Sequence, residues 1–435
     1  MLELPADETW TDEERLAHQW KRLRAMLPEV AATNRFYGRK LMAAGLTDAL
    51  ATLGPRTWSR LPFTTKGELS ADQVEHPPFG SNLTYPPARY SRLHETSGTT
   101  GRPLRILDTP ESWHWWSDIW RRVYHAAGVA REDRIFFCFS FGPFIGFWSA
   151  FAAAEAIGAL AISGGAQSSM QRVAAIVATE ATVLLCTPTY ALRLDGAARE
   201  GGVDLAASKL RVSIHAGEPG ASIPATRDRI EAAFGVRAFD HTGATEVGPT
   251  GFSCTARDGV HVVESEFLAE IIDPVSGEAS DDGDGELVLT SLGRWGSPAI
   301  RYRTGDRVSA TRGPCPCGRT LLKLVGGILG RVDDMITVRG VNVFPSAIEG
   351  IVRRFTEVEE FRVELFQDRG MDALRCVIEP RAGTPASVAE RVAGRVREAI
   401  RGGIGISCDV IVAEPASLPR FELKANRFAR RDSEG

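Results

Sequence analysis

Between residues 12 and 60 apolar positions recur three and four apart in pieces, as in DEERLAHQWKRLRAMLPEV, and predict an N-terminal helical cap. The period then changes. From Ile135 to about His241, short β-rich runs (IFFCFSF, ATVLLC, LRVSIHA, VRAFDHT) alternate with helical ones (FWSAFAAAEAIG, MQRVAAIVATEA, PATRDRIEAAFG). Such alternation predicts an α/β domain whose mainly parallel sheet is covered by helices. Residues 261–312 read as short strands separated by turn clusters (HVVESEFLAEIID, SGEASDDGDG, ELVLTS), which predicts a small antiparallel β sub-barrel on that domain. The last hundred residues give strand, strand, helix, strand (FRVELF, ALRCVIE, VAERVAGRVREAI, CDVIVAE), the pattern of a small α+β domain. A boundary near Gly330 divides the chain into a large domain, 1–330, and a small one, 331–435. The chain has no internal repeat and no low-complexity tract.

Length and charge narrow the function classes. At 435 residues, 43% of them hydrophobic, the chain is long enough for two or more cores. The 51 basic and 55 acidic residues leave a formal charge of −4 with no basic stripe, so no nucleic-acid partner is expected. The acidic start, MLELPADETWTDEE, lacks the pattern of an export signal, and a cytoplasmic protein is expected. The most apolar stretch, Phe136 to Ile162, is broken by Gly142, Pro143, Gly146, Glu155 and Gly158, which favours a buried strand–turn–helix over a membrane span. Seven cysteines suggest no disulfide framework. Cys138, Cys186, Cys376 and Cys408 lie in apolar strand-like runs and read as core. Cys254, His261, Cys315 and Cys317 supply a Cys₃His set suited to structural zinc, with Glu264 as a competing ligand and free thiols as the alternative.

The string Thr96-Ser97-Gly98-Thr99-Thr100-Gly101-Arg102-Pro103 gathers hydroxyls between glycines. Backbone N–H and side-chain O–H groups can converge there on an anion without a Cβ in the way, which makes a phosphate cradle. An ordinary surface loop is the alternative, and the string is not the GxxxxGKS/T of a Walker-type NTPase. Four further segments follow: His215-Ala216-Gly217-Glu218-Pro219, Thr242-Gly243-Ala244-Thr245-Glu246, Tyr302-Arg303-Thr304-Gly305-Asp306, and Gly330-Arg331-Val332-Asp333-Asp334-Met335 running into Arg339-Gly340-Val341-Asn342-Val343-Phe344-Pro345. From about residue 60 to the end, the five motifs in this order resemble the acyl- and aryl-CoA synthetase superfamily of adenylating enzymes. The last string, with CPCGRT at 315–320, is most similar to the phenylacetate–CoA ligase-like subfamily.

The resemblance implies roles. Ser97, Gly98, Thr99, Thr100 and Gly101 would bind phosphates; Ala216, Gly217, Glu218, His241 and Thr242 the adenine; Asp306 the ribose, with Arg331 nearby. Thr245 and Glu246 would be catalytic, Glu246 by holding Mg²⁺, a hard cation that takes carboxylate and phosphate oxygens. Lys424 matches the catalytic lysine of the C-terminal domain, and Asp333 the hinge about which that mobile domain turns. A turn-forming Asp, a helix-start Glu and a solvated tail Lys are the ordinary alternatives for these three types of residue. The chain departs from its relatives in having His241-Thr242 where Tyr is common, with His241 as a substitute for the stacking or a hydrogen-bonded structural residue as the alternative, Arg102 for Lys, and Gly220 for an aromatic.

For the acid, Phe139, Phe141, Phe144 and Trp148 surround the Gly142-Pro143 break, and Gly243 and Ala244 line the opposite side by the resemblance. A flat apolar slot for a ring follows, with ordinary sheet–helix core as the alternative. Trp113, Trp115 and Trp116 read as helix packing and surface, and Arg391, Arg395, Arg397 and Arg401 as a solvated helix face, with contacts to CoA phosphates as the alternative. The expected activity is ATP-dependent ligation of an aromatic acid to coenzyme A through an acyl-adenylate, with Mg²⁺, a structural zinc and an open expectation of a homodimer. Transfer to a carrier protein, adenylation of a deazaflavin and a non-catalytic zinc-stabilised nucleotide binder remain the alternatives.

Overall fold

Strands Leu160–Ser163, Arg134–Phe137, Val183–Cys186, Val212–His215 and Arg237–Ala244 lie side by side in that order, all parallel, in the computed structural model. It describes residues 3–96, 102–273, 276–332, 334, 336–338, 341–368, 371–421 and 427–430. Alternate residues of the central strands feed two cores: Ile135, Phe137, Val183 and Leu185 one, and Phe136, Leu184 and Cys186 the other. Burial on both faces is why these runs are continuously apolar rather than alternating. Helices Pro110–Ala126 and Trp148–Ala156 pack on the first face; Ser169–Ala178, Pro188–Glu200 and Pro224–Phe234 cover the other. Trp113, Trp115 and Trp116 are all buried, so the surface share of the expectation for them falls away.

The antiparallel unit is continuous with the parallel sheet. Arg237–Ala244 pairs with Gly248–Phe252, which pairs with Gly259–Val262, and the ladder runs on through Lys323–Val325, Tyr302–Thr311, Gly283–Ser291 and Phe267–Ile272. Ahead of it, Thr11 and Glu14 close a capping box on helix Asp12–Thr33, part of the expected N-terminal helical cap.

The C-terminal residues form a second sheet, ordered Cys408–Val412, Met371–Pro380, Val358–Asp368, Phe428–Arg430, over helices Pro345–Val352 and Ala386–Ile404. Its core, from Val338 to Val410, is separate from the others. Arg391, Arg395, Arg397 and Arg401 are exposed, as a solvated face requires. The small domain meets the large one through Arg199 to Glu359 at 3.2 Å, Arg229 Nη1 to the Val358 carbonyl at 3.2 Å and Arg427 Nη1 to Thr189 Oγ1 at 3.3 Å. Among the described residues no helix is long and apolar enough to cross a membrane.

Candidate active site

In parallel α/β sheets ligands gather at the carboxyl ends of the strands. Strands Val212–His215 and Arg237–Ala244, adjacent in the sheet, lead at that end into Ala216-Gly217-Glu218 and Thr245-Glu246. Gly217 has φ +98°, a conformation that disfavours a side chain. Glu218 Oε1 accepts the Thr189 N–H at 2.8 Å, so the adenine-type segment is fastened to the start of helix Pro188–Glu200.

The hairpin of Arg92–Glu95 and Arg105–Asp108 brackets the phosphate-type string. Its neck is closed twice: Thr96 N–H donates to the Leu104 carbonyl, and Leu104 N–H to Thr96 Oγ1, both at 3.0 Å. Ser97, Gly98, Thr99, Thr100 and Gly101 lie outside the described residues, as do Asp333 and Lys424.

Glu246 is a nearly buried carboxylate with Lys66 Nζ 3.3 Å away. The Tyr302 phenol also hydrogen-bonds to it; burial first, and the Glu246 charge next, push that phenol well above its ordinary range. Tyr302 therefore stays a donor at neutral pH and holds the carboxylate in place. Farther along the same strand, Asp306 is beside Arg331, with Arg331 Nη1 at 3.4 Å from Asp306 Oδ1 and donating to the Thr304 carbonyl at 3.0 Å. Gly305, at φ +74°, is required there: a Cβ would come within 2.6 Å of the Arg331 guanidinium.

Asp108 and Arg294 form a bidentate ion pair, two contacts of 2.7 Å, with both side chains wholly buried. Arg294 Nη1 also donates to the Thr245 carbonyl at 2.7 Å. The pair thus ties the hairpin that carries the phosphate-type string to the segment that carries Glu246. The sequence reading missed it because the partners are 186 residues apart; the only local signal is an aspartate closing the apolar run RILD. Removing one partner strands a buried charge, which costs about 3–5 kcal/mol. Arg294→Leu is therefore expected to lose about that much stability in denaturant titrations, and an unchanged midpoint would show that the pair contributes little.

Phe139, Phe141, Phe144 and Trp148 pack edge to face, with Phe139–Phe141 centroids at 6.0 Å, Phe139–Phe144 at 5.3 Å and Phe141–Trp148 at 4.6 Å. Trp148 Nε1 donates to the Gly142 carbonyl at 3.1 Å, and a Cβ on Gly142 would press on Phe144 at 2.8 Å. Phe141, Phe144, Ala216 and Ala244 are half-buried against the same core, while Gly243 is exposed. Thr242, expected at the adenine, hydrogen-bonds Thr250 at 3.0 Å. His241 lies inside: its Nδ1 donates to the Gly251 carbonyl at 2.8 Å and its ring centroid is 4.2 Å from that of Trp120. That geometry is of a packed residue rather than a stacking platform for adenine.

Cys254, His261, Cys315 and Cys317 converge, their ligand atoms all within 4.8 Å of one another. Strands Gly259–Val262 and Lys323–Val325 pair at His261 and Lys323, which brings the 315–317 knuckle beside His261. Cys254 Sγ is 3.7 Å from Cys315 Sγ, and Cys317 Sγ 3.6 Å from His261 Nε2. Tetrahedral zinc with Zn–S of about 2.3 Å holds its ligand atoms roughly 3.5–3.8 Å apart. His261 Nδ1 is turned to the Leu321 carbonyl at 3.2 Å, which fixes Nε2 toward the sulfurs. Hydrogen bonds from Cys254, then His261, hold the Cys317 thiol far below its ordinary value. Glu264 is not part of the set; it is engaged by Arg312 at 2.8 Å, by Arg15 at 3.4 Å and by the Leu322 N–H at 2.7 Å.

Comparison with known proteins extends this picture. Residues 340–431 match the family described as AMP-binding enzyme C-terminal domain. The chain is 32% identical over 417 residues to phenylacetate–coenzyme A ligase of Pseudomonas putida, covering 94% of this chain and 92% of that one. Its structure is similar to 2-hydroxyisobutyryl-CoA ligase in the postadenylation state in complex with 2-HIB-AMP, with a TM-score of 0.93, 28% identity and 99% and 94% of the two chains covered. Against the same ligase in the thioesterification state, with CoA, the TM-score is 0.73 at 29% identity, covering 98% and 94%. The chain therefore belongs to the phenylacetate–coenzyme A ligase family and is an AMP-forming acid–CoA ligase.

Proposed function

We propose that this ligase activates an aromatic acid, aryl or arylacetic, and that the ring is held between Phe141, Gly142 and Phe144 on one side and Gly243 and Ala244 on the other. The observation that carries the reading is the edge-to-face aromatic group at the carboxyl end of the parallel sheet, in the same core as Ala216 and Ala244. The name of the Pseudomonas putida relative supports it. Rings in edge-to-face contact support one another as a packed apolar wall against which a further ring can lie. Comparing ring acids with short fatty acids in adenylation tests it: ring acids are expected to support the faster reaction.

In the first step a carboxylate oxygen of the acid attacks the α-phosphorus of ATP and pyrophosphate leaves, giving the acyl-adenylate. Ser97, Thr99 and Thr100, with the backbone of Gly98 and Gly101, donate to the phosphates; Asp306 accepts from the ribose hydroxyls; Ala216, Gly217 and Glu218 border the adenine. Glu246 fits a Mg²⁺ role as a single, oriented carboxylate beside Thr245, and the cation supplies neutralisation of phosphate charge. Lys424 stabilises charge on the α-phosphate. In the second step residues 331–435 turn about Asp333, the CoA thiolate attacks the acyl carbon, and AMP departs. The drop in TM-score from 0.93 to 0.73 between two states of one relative supports such a turn.

Cys254, His261, Cys315 and Cys317 fit a closed, structural zinc site, with no position left for a reacting ligand. The knuckle also holds the N-terminal segment: Thr320 N–H donates to the Glu8 carbonyl at 3.1 Å and Arg319 Nε to Glu8 Oε2 at 2.7 Å. Protein purified without chelator is expected to carry about one zinc per chain, and Cys315→Ser to lose both the metal and several degrees of Tm. Metal analysis that finds no zinc would contradict the assignment.

A further inference from the structure

His241 carries a ring nitrogen that the fold leaves without a hydrogen-bond partner beside Gly243, among the described residues. In the strand Arg237–Ala244 side chains alternate between faces, so Phe239 and His241 share one, and the pairing with Gly248–Phe252 slips just beyond them, between Thr242 and Gly243. It is the face of Phe137, Phe139 and Phe147, because Phe239 lies in their core. From His241 an aromatic chain runs to the slot: Trp120 at 4.2 Å, Phe147 at 5.9 Å from Trp120, Phe139 at 5.2 Å from Phe147, then Phe141 and Phe144.

The chemistry of the two ring nitrogens is fixed separately. Nδ1 faces the Gly251 carbonyl at 2.8 Å, and a carbonyl only accepts, so Nδ1 bears the proton. Burial lowers the imidazole to about 4, so near neutral pH the ring is uncharged and Nε2 presents a lone pair. A Cβ on Gly243 would meet the Gly248 carbonyl oxygen at 2.9 Å, Pro249 Cα at 3.1 Å and Nε2 at 3.4 Å, which puts this acceptor beside the glycine expected to border the slot. Among the described residues Nε2 has no hydrogen-bond partner, nor is it one of the sealed, unpartnered polar atoms of the interior. A side chain only 6% exposed thus keeps one free acceptor that is not wholly sealed off.

We propose that His241 is a specificity residue and that the acid is an aromatic carboxylate bearing a hydrogen-bond donor, hydroxyl or amino, on the ring edge over Gly243. The inference rests on the aromatic-slot reading above. A substrate lacking the donor leaves Nε2 buried and unpaired when the slot closes over it, which is the means by which polar pockets reject apolar analogues.

The test compares each parent arylacetate or benzoate with its hydroxy, amino and methoxy derivatives at every ring position, measuring kcat/KM for CoA-thioester formation. One hydroxy or amino isomer is expected to exceed its parent about 10–100-fold. Its methoxy counterpart, similar in position but without a donor, should gain nothing. In His241→Leu that preference should disappear while the parent acid keeps kcat/KM within a few-fold and KM for ATP is unchanged. The inference is overturned if no donor-bearing isomer exceeds both its parent and its methoxy analogue in the wild-type enzyme, a result that needs no variant to fold. It is also overturned if folded His241→Leu keeps the preference. If short aliphatic acids outrun every ring acid, the aromatic reading has failed and the donor rule fails with it; active ring acids without donor preference overturn the donor rule alone.

Discussion

Asp333→Pro is expected to keep acid-dependent ATP/pyrophosphate exchange within about tenfold of wild type while CoA-thioester formation falls by orders of magnitude. Proline fixes φ near −65° and removes an N–H, so a residue whose dihedrals must change between two states is locked in one of them. The structure's similarity to a postadenylation-state relative fits that locked state being the one competent for exchange. Contacts across the domains, Arg199–Glu359 and Arg427–Thr189, belong to the same arrangement. If exchange and thioester formation fall together on one folded preparation, rotation at Asp333 is ruled out as the cause; if neither changes, Asp333 is an ordinary turn residue.

Lys424→Ala is expected to reduce exchange by a hundredfold or more while ATP binding stays largely intact. A point charge delivered to a phosphate as negative charge develops acts mostly on the transition state, and deleting one such donor costs about 10²–10³ in rate. Lys424 itself lies outside the described residues; three residues on, Arg427 is firmly held. Arg427 is buried, with Nε 2.7 Å from Glu360 Oε1 and Nη1 3.3 Å from both Glu349 Oε1 and Thr189 Oγ1. Burial works against its charge, but Glu349 and Glu360 outweigh it and raise the guanidinium further above its usual range. Normal exchange in Lys424→Ala would make that lysine a solvated tail residue.

What could be read from the sequence follows from the range of the interactions involved. The parallel sheet was legible because the runs around Ile135, Val183 and Val212 alternate with helical segments, and local periodicity encodes that directly. The Cys₃His set was legible because cysteine and histidine are scarce and chemically specific; its ligands do converge. The single ladder from Leu160–Ser163 to Phe267–Ile272 was not legible, since it depends on Gly259–Val262 pairing with Lys323–Val325, far along the chain, rather than with a sequence neighbour. The supports of Glu246 were hidden for the same reason: Lys66, Tyr302 and the Asp108–Arg294 pair come from four separate segments. His241 was placed at the adenine by analogy of position, whereas the side-chain alternation of its strand turns it into the core beside Trp120.

The most direct test of the central claim is a screen of ATP/pyrophosphate exchange over aryl, arylacetic and short aliphatic acids, followed by identification of the products formed when CoA is added. The expected result is exchange that depends on a ring acid, with AMP, pyrophosphate and the aryl- or arylacetyl-CoA thioester appearing together. Exchange supported equally well by short fatty acids, or acid-dependent exchange with no thioester formed on adding CoA, would contradict it.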